Sequence, residues 1–291
     1  MIHNIKSDKL TVRINDFGAE LISARGSDDF EYVWYANPTY WDQHAPVLFP
    51  ICGRILNGYY LYDGKKYEMA GHGFASARSF KVKTKSENSI TLVLESDEST
   101  LAEYPFDFVL TATYTVIDNT LTADFKVENK DKKVMPYMFG WHPGFTLEKA
   151  GGSSIVDFTL KFDDVDKVCW YPLQNGCFCR PYGVDYALSN SEYPLNEEEI
   201  YANDTMIFTG TKERVLLSAP MEKHSVELSW SKNLPYFCIW KETDANARFI
   251  CLEPWSGTPG DGETEENFNV RKMERLPSGQ SEIYSYSVKF N

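Results

Sequence analysis

Residues 106–128 read FDFVLTATYTVIDNTLTADFKVE, and this stretch decides the fold class. Its two runs, residues 106–117 and 120–128, alternate apolar with polar side chains and are rich in β-branched and aromatic residues, as half-buried strands are. Only Asp118 and Asn119 separate them, and a two-residue connection between such runs predicts a β-hairpin. The centre of the chain therefore supplies two long antiparallel strands from which a sheet can grow.

Strand-like segments of the same kind continue on both sides of this hairpin. They occupy residues 10–14, 20–24, 81–85, 89–95, 134–145, 154–162, 206–208, 214–218, 225–231, 236–241, 249–252 and 281–290. Helical patterns are few, and only residues 37–43 and 194–202 are candidates for a turn or two. The sequence therefore predicts an all-β protein, a large antiparallel β-sandwich with few short helices. No Pro/Gly/Ser-rich linker interrupts it, so residues 1–291 are expected to form a single domain.

The composition argues against several classes of partner. The chain has 29 lysines and arginines against 42 acidic residues, a net charge of −13, whereas nucleic acid requires a basic surface. No apolar run approaches the roughly 20 residues that span a bilayer. The first ten residues, MIHNIKSDKL, lack the apolar segment of a secretory signal. We therefore expect a cytoplasmic protein, a monomer or a homodimer, with no membrane or nucleic-acid partner.

No cofactor or metal site is expected from the sequence. The six cysteines are expected to be reduced, and Cys177 and Cys179 form a CxC pair instead of the CxxC of zinc and redox sites. The five histidines do not show the spacing of metal ligands. No GxGxxG, P-loop or HExxH motif occurs. Any chemistry must then come from ordinary side chains.

A histidine inside an apolar, strand-like run is the first candidate for catalysis. The run MFGWHPGF places His142 between Trp141 and Pro143. Proline cannot continue a central ladder, so the strand should end or bulge beside the imidazole, as strands often do at binding sites. A core histidine bonded to a backbone carbonyl is the simpler interpretation, but a carboxylate in a matching setting favours a functional one.

That carboxylate is Glu253, in the run FICLEPWSG. It follows four apolar residues and precedes Pro254 and Trp255. Burial raises the pKa of a carboxyl group towards neutral pH, which suits a general base, whereas a solvent-facing or arginine-paired glutamate is the alternative. An imidazole and a carboxylate, each at the end of an apolar strand and beside a tryptophan, predict an acid and a base that face a sugar ring.

Three further polar residues are candidates for binding a ligand. His72 lies between two glycines in GHGF, and their missing side chains allow the backbone to approach a ligand closely. Arg54, in LFPICGRI, requires a carboxylate or ligand hydroxyl groups as an acceptor. Asp204, in the polar stretch NDT, is a weaker candidate, because such residues commonly cap turns.

Tryptophans accompany these segments. Trp255 neighbours Glu253, Trp141 neighbours His142, and Trp240 lies in another apolar run. The apolar C–H face of a sugar stacks on aromatic rings, so we expect Trp255 to contact a substrate, with core packing as the alternative.

Taken together, these motifs resemble the aldose 1-epimerase (galactose mutarotase) superfamily, and within it the LacX-like branch. LFPICGRI, GHGFA, FGWHPGF and CLEPWSG occur in this order, and the similarity extends from about Leu10 to Phe290. WHPGF together with LEPWSG is the most specific combination. The resemblance implies a galactose mutarotase-like supersandwich and a cofactor-independent interconversion of the α and β anomers of an aldose.

The resemblance also implies a role for each polar residue. His142 matches the general acid that protonates the ring oxygen, and Glu253 matches the base that deprotonates the anomeric hydroxyl. His72 matches a histidine that binds near the ring oxygen. Arg54 matches an arginine that binds hydroxyl groups, and Asp204 matches an aspartate that holds ring hydroxyls.

The sequence departs from the family at one position that bears on the substrate. Relatives often carry an arginine directly after HGFA, where this chain has Ser76, and the nearest arginine is Arg78. Few arginines are then available for a phosphate group. The predicted function is an aldose 1-epimerase acting on a hexose. The alternatives are a hexose-6-phosphate 1-epimerase and a non-catalytic sugar-binding or sugar-sensing protein on the same fold. A glycosidase with paired carboxylates fits less well, because the sequence offers a histidine and a glutamate.

Overall fold

The computed structural model describes residues 1–147, 157–175, 178–195, 202, 205–220, 222–244 and 246–291. The described strands, numbered in chain order, are β1 (Ile2–Lys6), β2 (Leu10–Asn15), β3 (Glu20–Gly26), β4 (Val47–Leu48), β5 (Tyr59–Tyr62), β6 (Lys65–Glu68), β7 (Lys81–Lys85), β8 (Ser89–Glu95), β9 (Phe108–Ile117), β10 (Thr120–Asn129), β11 (Met135–Tyr137), β12 (Gly140–Trp141), β13 (Gly144–Thr146), β14 (Thr159–Phe162), β15 (Lys167–Tyr171), β16 (Leu173–Gln174), β17 (Phe178–Cys179), β18 (Val184–Ala187), β19 (Glu192–Pro194), β20 (Thr205–Thr209), β21 (Arg214–Ser218), β22 (Val226–Trp230), β23 (Tyr236–Trp240), β24 (Phe249–Trp255), β25 (Glu274–Leu276) and β26 (Ser281–Phe290).

Helical structure in the described residues is short. Helix α1 spans Glu98–Glu103, and single 3-10 turns occupy Leu56–Gly58 and Ala75–Ala77. Asp97 caps α1, because its side chain accepts from the Thr100 N–H while the Thr100 hydroxyl accepts from the Asp97 N–H. This helix was not predicted, although its capping residues are visible in the sequence.

The two helical predictions fare differently. Residues 37–43 form no helix: the Tyr40 and Trp41 N–H groups both donate to the Asn37 carbonyl in an isolated turn. Of residues 194–202, Pro194 belongs to β19, and residues 196–201 lie outside the described part of the chain. Residues 154–156, in the predicted strand at 154–162, and Cys177 lie outside it as well.

Two large antiparallel sheets dominate the fold and confirm the predicted all-β sandwich. One has nine strands in the order β19-β14-β21-β22-β26-β10-β9-β8-β7. The other has eight, in the order β18-β15-β20-β23-β24-β12-β4, with β13 also paired to β24. The predicted hairpin forms β9 and β10, whose register runs from Phe108 opposite Asn129 to Ile117 opposite Thr120. It therefore lies inside the nine-stranded sheet.

The core lies between the two sheets. Along β9 and β10 every second side chain is buried, as a sheet with one solvated face requires. Aromatic rings join the layers: Trp141 of β12 packs with ring centroids 6.0 Å from Phe125 of β10 and 5.3 Å from Tyr286 of β26. The eight-stranded sheet therefore has one face on the core, and its other face carries the cavity described below.

Two strand predictions near the candidate residues differ from the structure. Residues 134–145, predicted as one strand, form three short strands, with His142 and Pro143 in the last gap. The strand predicted at 249–252 continues to Trp255, so Glu253 lies inside β24 and does not follow it. The other segments predicted as strands match described strands to within a few residues. Ten described strands were not predicted, namely β1, β4, β5, β6, β15, β16, β17, β18, β19 and β25. Among the described residues, no helix has the length and apolar character needed to cross a membrane.

Candidate active site

An interruption in the eight-stranded sheet brings His142 and Glu253 together. On one side of β24, β12 pairs Gly140 with Trp255 and β13 pairs Gly144 with Cys251. Between these pairs the neighbouring strand is broken, and Pro254 has no N–H to offer there. The same antiparallel register, continued across the gap, places His142 directly opposite Glu253, so their side chains leave the sheet on one face.

Neighbouring strands extend this row across the sheet. Cys238 of β23 lies opposite Glu253, and Ile207 of β20 lies opposite Cys238. On the other side, the His142 N–H donates to the Pro46 carbonyl at 3.1 Å. All five residues line a cavity of about 500 Å³, within the range of roughly 300–1,000 Å³ typical of small-molecule sites. The acid–base candidates therefore form the floor of a cavity.

The contact between the two candidates is close and buried. His142 Nε2 lies 3.2 Å from Glu253 Oε2, and Glu253 is fully buried while His142 is 8% exposed. Neither carboxylate oxygen, nor His142 Nδ1, makes a hydrogen bond of normal geometry with any described residue. Buried polar groups are nearly always paired, so these atoms are available to a ligand.

Burial also sets the protonation of the pair. It raises the pKa of the Glu253 carboxyl well above its usual value; the nearby Trp255 indole N–H opposes this shift, although it makes no hydrogen bond of normal geometry. Burial, reinforced by the neighbouring His72, holds the pKa of His142 well below its usual value. The neutral forms of the two residues are therefore favoured, and transfer of one proton from Glu253 to His142 converts the neutral pair into the ion pair.

His72 is fixed in one tautomer by the backbone. The Gly53 N–H donates to His72 Nδ1 at 3.2 Å, and the His72 N–H donates to the Gly53 carbonyl at 2.7 Å. Burial and the charge of Arg54 lower the pKa of His72 to about 4, so the ring is neutral at pH 7. Because Nδ1 accepts, the single ring proton lies on Nε2. His72 lines the cavity, and its ring lies 5.4 Å from that of His142.

The two glycines that flank His72 differ in their structural surroundings. Gly73 has a φ of 77°, and a Cβ there would collide with the Phe49 carbonyl. Gly71 lies against the side chain of Arg54, whose Cγ would be 3.5 Å from an added Cβ. His72 itself has a φ of 62°. The local geometry therefore shows the unusual dihedrals that were expected here, at His72 and Gly73. The close approach of this backbone to a ligand stays a prediction.

Arg54 supplies positive charge at the cavity. Its side chain is exposed, lines the cavity and forms no ion pair with a described residue. Among the described lining residues it is the only lysine or arginine. Asp204 lies outside the described residues, one position before Thr205, which lines the same cavity.

The tryptophans divide between cavity and core. Trp255 lines the cavity but is only 3% exposed, so little of its ring is open to a ligand. Trp141 is fully buried, and its indole N–H donates to the Ala45 carbonyl at 3.1 Å, so it belongs to the core. Trp240 and Trp41 both line the cavity, with ring centroids 5.3 Å apart. Sequence reasoning missed Trp41, which lies in a loop without an apolar pattern.

A second group that sequence reasoning missed holds the loop after Glu253. Arg271 Nη1 lies 2.6 Å from Glu266 Oε2, and Arg271 Nη2 donates to the Thr258 carbonyl at 3.0 Å. The next residue, Pro259, lines the cavity and packs so closely on Gly53 that a Cβ there would collide with its ring. Both charged side chains are under 10% exposed. Nothing in the local sequence distinguishes them from surface charges.

The arrangement offers two kinds of chemistry. The imidazole and carboxylate can exchange protons with oxygen atoms of a bound ligand, with the His72 Nε2–H and Arg54 as donors beside them. In addition, ligand atoms of His142, Cys251 and Glu253 all lie within 4.8 Å of one another, and all three residues are buried. Among the described residues this is the one such group of histidine, cysteine and acidic side chains.

Known proteins share both the sequence pattern and the fold. The sequence profile of the aldose 1-epimerase family matches residues 1–267. The plasmid-encoded protein LacX of Lactococcus lactis subsp. lactis is 28% identical in an alignment of 267 residues that covers 88% of this chain and 88% of its own. Among solved structures, a galactose mutarotase related enzyme from Lactobacillus acidophilus superimposes with a TM-score of 0.93 at 29% identity, covering 100% of this chain and 97% of its own. A galactose mutarotase-like protein from Lactobacillus casei gives a TM-score of 0.92 at 27% identity, covering all of both chains.

The family match covers far more than half of the chain, and the solved relatives reproduce its sandwich over the full length. Such a family indicates an isomerase that acts on a sugar. This chain belongs to the aldose 1-epimerase family.

Proposed function

We propose that the protein is an aldose 1-epimerase that interconverts the α and β anomers of an unphosphorylated hexose without a cofactor. The observation that carries this proposal is the opposition of His142 Nε2 and Glu253 Oε2, 3.2 Å apart on the floor of the cavity. Anomerisation protonates the ring oxygen and deprotonates the anomeric hydroxyl. Both oxygens are bonded to the same carbon, so the acid and the base must lie side by side.

In the proposed mechanism the ion-pair form of the site begins the reaction. The Glu253 carboxylate takes the proton of the anomeric hydroxyl while the His142 imidazolium donates a proton to the ring oxygen. The C1–ring oxygen bond breaks, and the products are an open-chain aldehyde, a neutral carboxylic acid and a neutral imidazole. Rotation about C1–C2 presents the other face of the aldehyde, and the two transfers then run backwards to close the ring.

The electrostatics of the cavity support this sequence. Burial disfavours both charged forms, so it raises the free energy of the ion pair relative to the neutral pair. The neutral pair is the protonation state that accompanies the open-chain aldehyde. Ring opening converts the ion pair into the neutral pair, so burial favours this step once the ion pair has formed by proton transfer within the resting neutral pair.

His72 and Arg54 are assigned to substrate binding. The His72 Nε2–H is a neutral donor beside His142, suited to the ring oxygen or an adjacent hydroxyl. Arg54 has donors for further hydroxyl groups. Asp204 keeps its proposed role in holding ring hydroxyls, and Trp255 borders the site. Arg54 is the one lysine or arginine among the described lining residues, which favours a sugar without a phosphate group.

The assignment of the base is tested by Glu253→Gln. This change keeps the shape of the side chain and removes its basic oxygen, so we expect the rate of anomer exchange to fall about 10²–10⁴-fold. Exchange NMR or polarimetry with glucose and galactose measures the rate, and glucose 6-phosphate tests the phosphorylated alternative. A wild-type rate in Glu253→Gln would refute the role.

The acid is tested by His142→Asn, and the chain offers a matched control. His224 is also 8% exposed but lies elsewhere, with Nε2 2.9 Å from Asp28. We expect His142→Asn to lose most activity and His224→Asn to keep it. A wild-type protein that binds hexoses without accelerating exchange would instead support the non-catalytic sugar-binding alternative.

A further inference from the structure

We propose that a zinc ion binds on the cavity floor, held by the Cys251 thiolate, the His142 imidazole and the Glu253 carboxylate, and reversibly blocks the acid–base pair. The blocking effect rests on the proposed function, whereas the binding itself does not. No motif spacing indicates this site, because its three ligands come from β24 and from the gap opposite it.

The backbone already places the three ligands on one face. Cys251 and Glu253 are two residues apart on β24, so their side chains point the same way. His142 lies opposite Glu253 by the register of the flanking strands. One ligand atom from each residue lies within 4.8 Å of the other two, and the His142–Glu253 pair is already at 3.2 Å.

These separations suit a zinc ion after small side-chain rotations. Zinc binds sulfur at about 2.3 Å and nitrogen or oxygen at about 2.0–2.2 Å, which places tetrahedral ligands roughly 3.5 Å apart. A thiolate, an imidazole and a carboxylate are all ligands that zinc accepts. The cavity next to Glu253 leaves space for water as the fourth ligand.

The unpaired atoms at the site point to the same conclusion. Both Glu253 oxygens are buried and make no normal hydrogen bond with a described residue. Binding also balances charge: the three side chains together lose two protons, one from the thiol and one shared by the imidazole and carboxylate. A dication then replaces two protons, so a buried site acquires no net charge.

Occupied by zinc, the site cannot perform the proposed proton transfers. The lone pair of His142 and the charge of Glu253 would both be directed to the metal. Zinc would therefore compete with the sugar for the floor of the cavity, and removal of the metal would restore exchange.

Calorimetric titration of the tag-free protein with zinc chloride tests the binding. We expect one zinc per chain in the wild type, at least tenfold weaker binding in Cys251→Ala, and unchanged binding in Cys52→Ala. Cys52 is a matched control, since it is also a fully buried free cysteine but lies outside the ligand group. Equal zinc affinity in Cys251→Ala and wild type, or no single-site binding in the wild type, would overturn the proposal. If Cys251→Ala does not fold, Cys251→Ser, which removes the thiolate but keeps the branching of the side chain, takes its place.

Cobalt substitution provides a readout that does not depend on activity. A thiolate-to-cobalt charge-transfer band should appear in the wild type and in Cys52→Ala, and should be absent from Cys251→Ala. Inhibition is measured separately: zinc should slow anomer exchange, and EDTA should restore it. A protein without exchange activity that still shows the cobalt band would contradict the proposed function and leave the zinc site standing. Zinc binding without inhibition would refute the blocking role.

Discussion

At the scale of single residues, His72 gives the sharpest expectation about pH. Its Nδ1 accepts from the Gly53 N–H, and burial together with Arg54 lowers its pKa to about 4. A neutral donor is thereby held beside the acid–base pair over the whole physiological range. A positively charged ring there would disfavour a protonated His142, since like charges repel.

We predict that His72 stays neutral above about pH 5. The unfolded imidazole, with a pKa near 6.5, binds a proton before the folded one does. The contribution of His72 to the free energy of unfolding, up to about 3 kcal/mol, is therefore fully present above pH 6.5. This contribution is lost as the pH falls through about 4. Nitrogen-detected NMR titration measures the pKa and the tautomer, and His72→Gln identifies the resonance. Titration of His72 near pH 6.5, or a proton on Nδ1, would contradict the expectation.

The sequence identified some site residues and not others for a physical reason. His142, Glu253, His72 and Arg54 each interrupt an apolar run or lie between glycines, and such local irregularity is visible in one dimension. The structure places all four at one cavity. Cys251 occupies an apolar run where any small hydrophobic residue would fit, and its proximity to His142 arises only from strand pairing. The contribution of Asp204 stays a prediction.

At the scale of elements, the gap between β12 and β13 is the feature that the sequence only half revealed. Pro143 predicted that the strand would end or bulge, and it does. The earlier break at residues 138–139 consists of two apolar residues and was not predicted from the sequence, although Gly140 follows it directly. The Leu252 N–H still donates to the Pro143 carbonyl at 3.2 Å, so the broken strand remains attached to β24. A break that keeps its register allows a histidine to face a glutamate within a sheet.

The prediction at the scale of elements concerns the loop of residues 256–263, which follows β24. Arg271 pairs with Glu266 in a buried position and also holds the Thr258 carbonyl. Arg271→Met leaves the Glu266 charge buried and unpaired, so we expect the free energy of unfolding to fall by about 3–5 kcal/mol. Because Pro259 then loses its support on Gly53, KM for the sugar should rise. Denaturant unfolding and exchange kinetics measure the two effects.

Two further variants distinguish the effect of burial on stability from the effect of an unpaired charge. Arg214 pairs with Asp163 and Glu227 but is 37% exposed, so Arg214→Met should cost less than about 1 kcal/mol. Replacing both buried partners, with Arg271→Met and Glu266→Leu together, should recover part of the lost stability, because no unpaired charge remains. Equal losses for Arg271→Met and Arg214→Met would show that the buried pair does not hold the loop.

At the scale of the whole molecule, the sequence predicted the class and most strands but not the order of the sheets. Alternating patterns such as that of β9 and β10 mark which residues face the core, and the two-residue turn fixes their pairing. One neighbour of β24 is β23, the strand directly before it in the chain, whereas β12 and β13 on its other side come from a distant part of the chain. No local signal encodes the pairing with β12 and β13, because it depends on how the chain returns to this sheet. The single-domain organisation and the monomer or homodimer state stay predictions.

One hydrogen bond joins the nine-stranded sheet to the strand of the proposed base. The Tyr286 hydroxyl, on β26, donates to the Pro254 carbonyl at 2.9 Å, directly beside Glu253. We predict that Tyr286→Phe lowers the free energy of unfolding by about 1–2 kcal/mol, the usual loss for one buried bond. It should also lower kcat for anomer exchange, because the peptide that carries Glu253 is no longer held against the opposite sheet.

Tyr284→Phe is the matched control. Tyr284 lies two residues earlier on β26 and faces the same core, but its hydroxyl bonds to that of Tyr137 at 2.9 Å, away from Glu253. Both variants lose one buried hydrogen bond and should lose similar stability in thermal or denaturant unfolding. Only Tyr286→Phe should slow exchange. If the two variants have the same kcat, Tyr286 is only a packing residue, and contact between the sheets does not position the base.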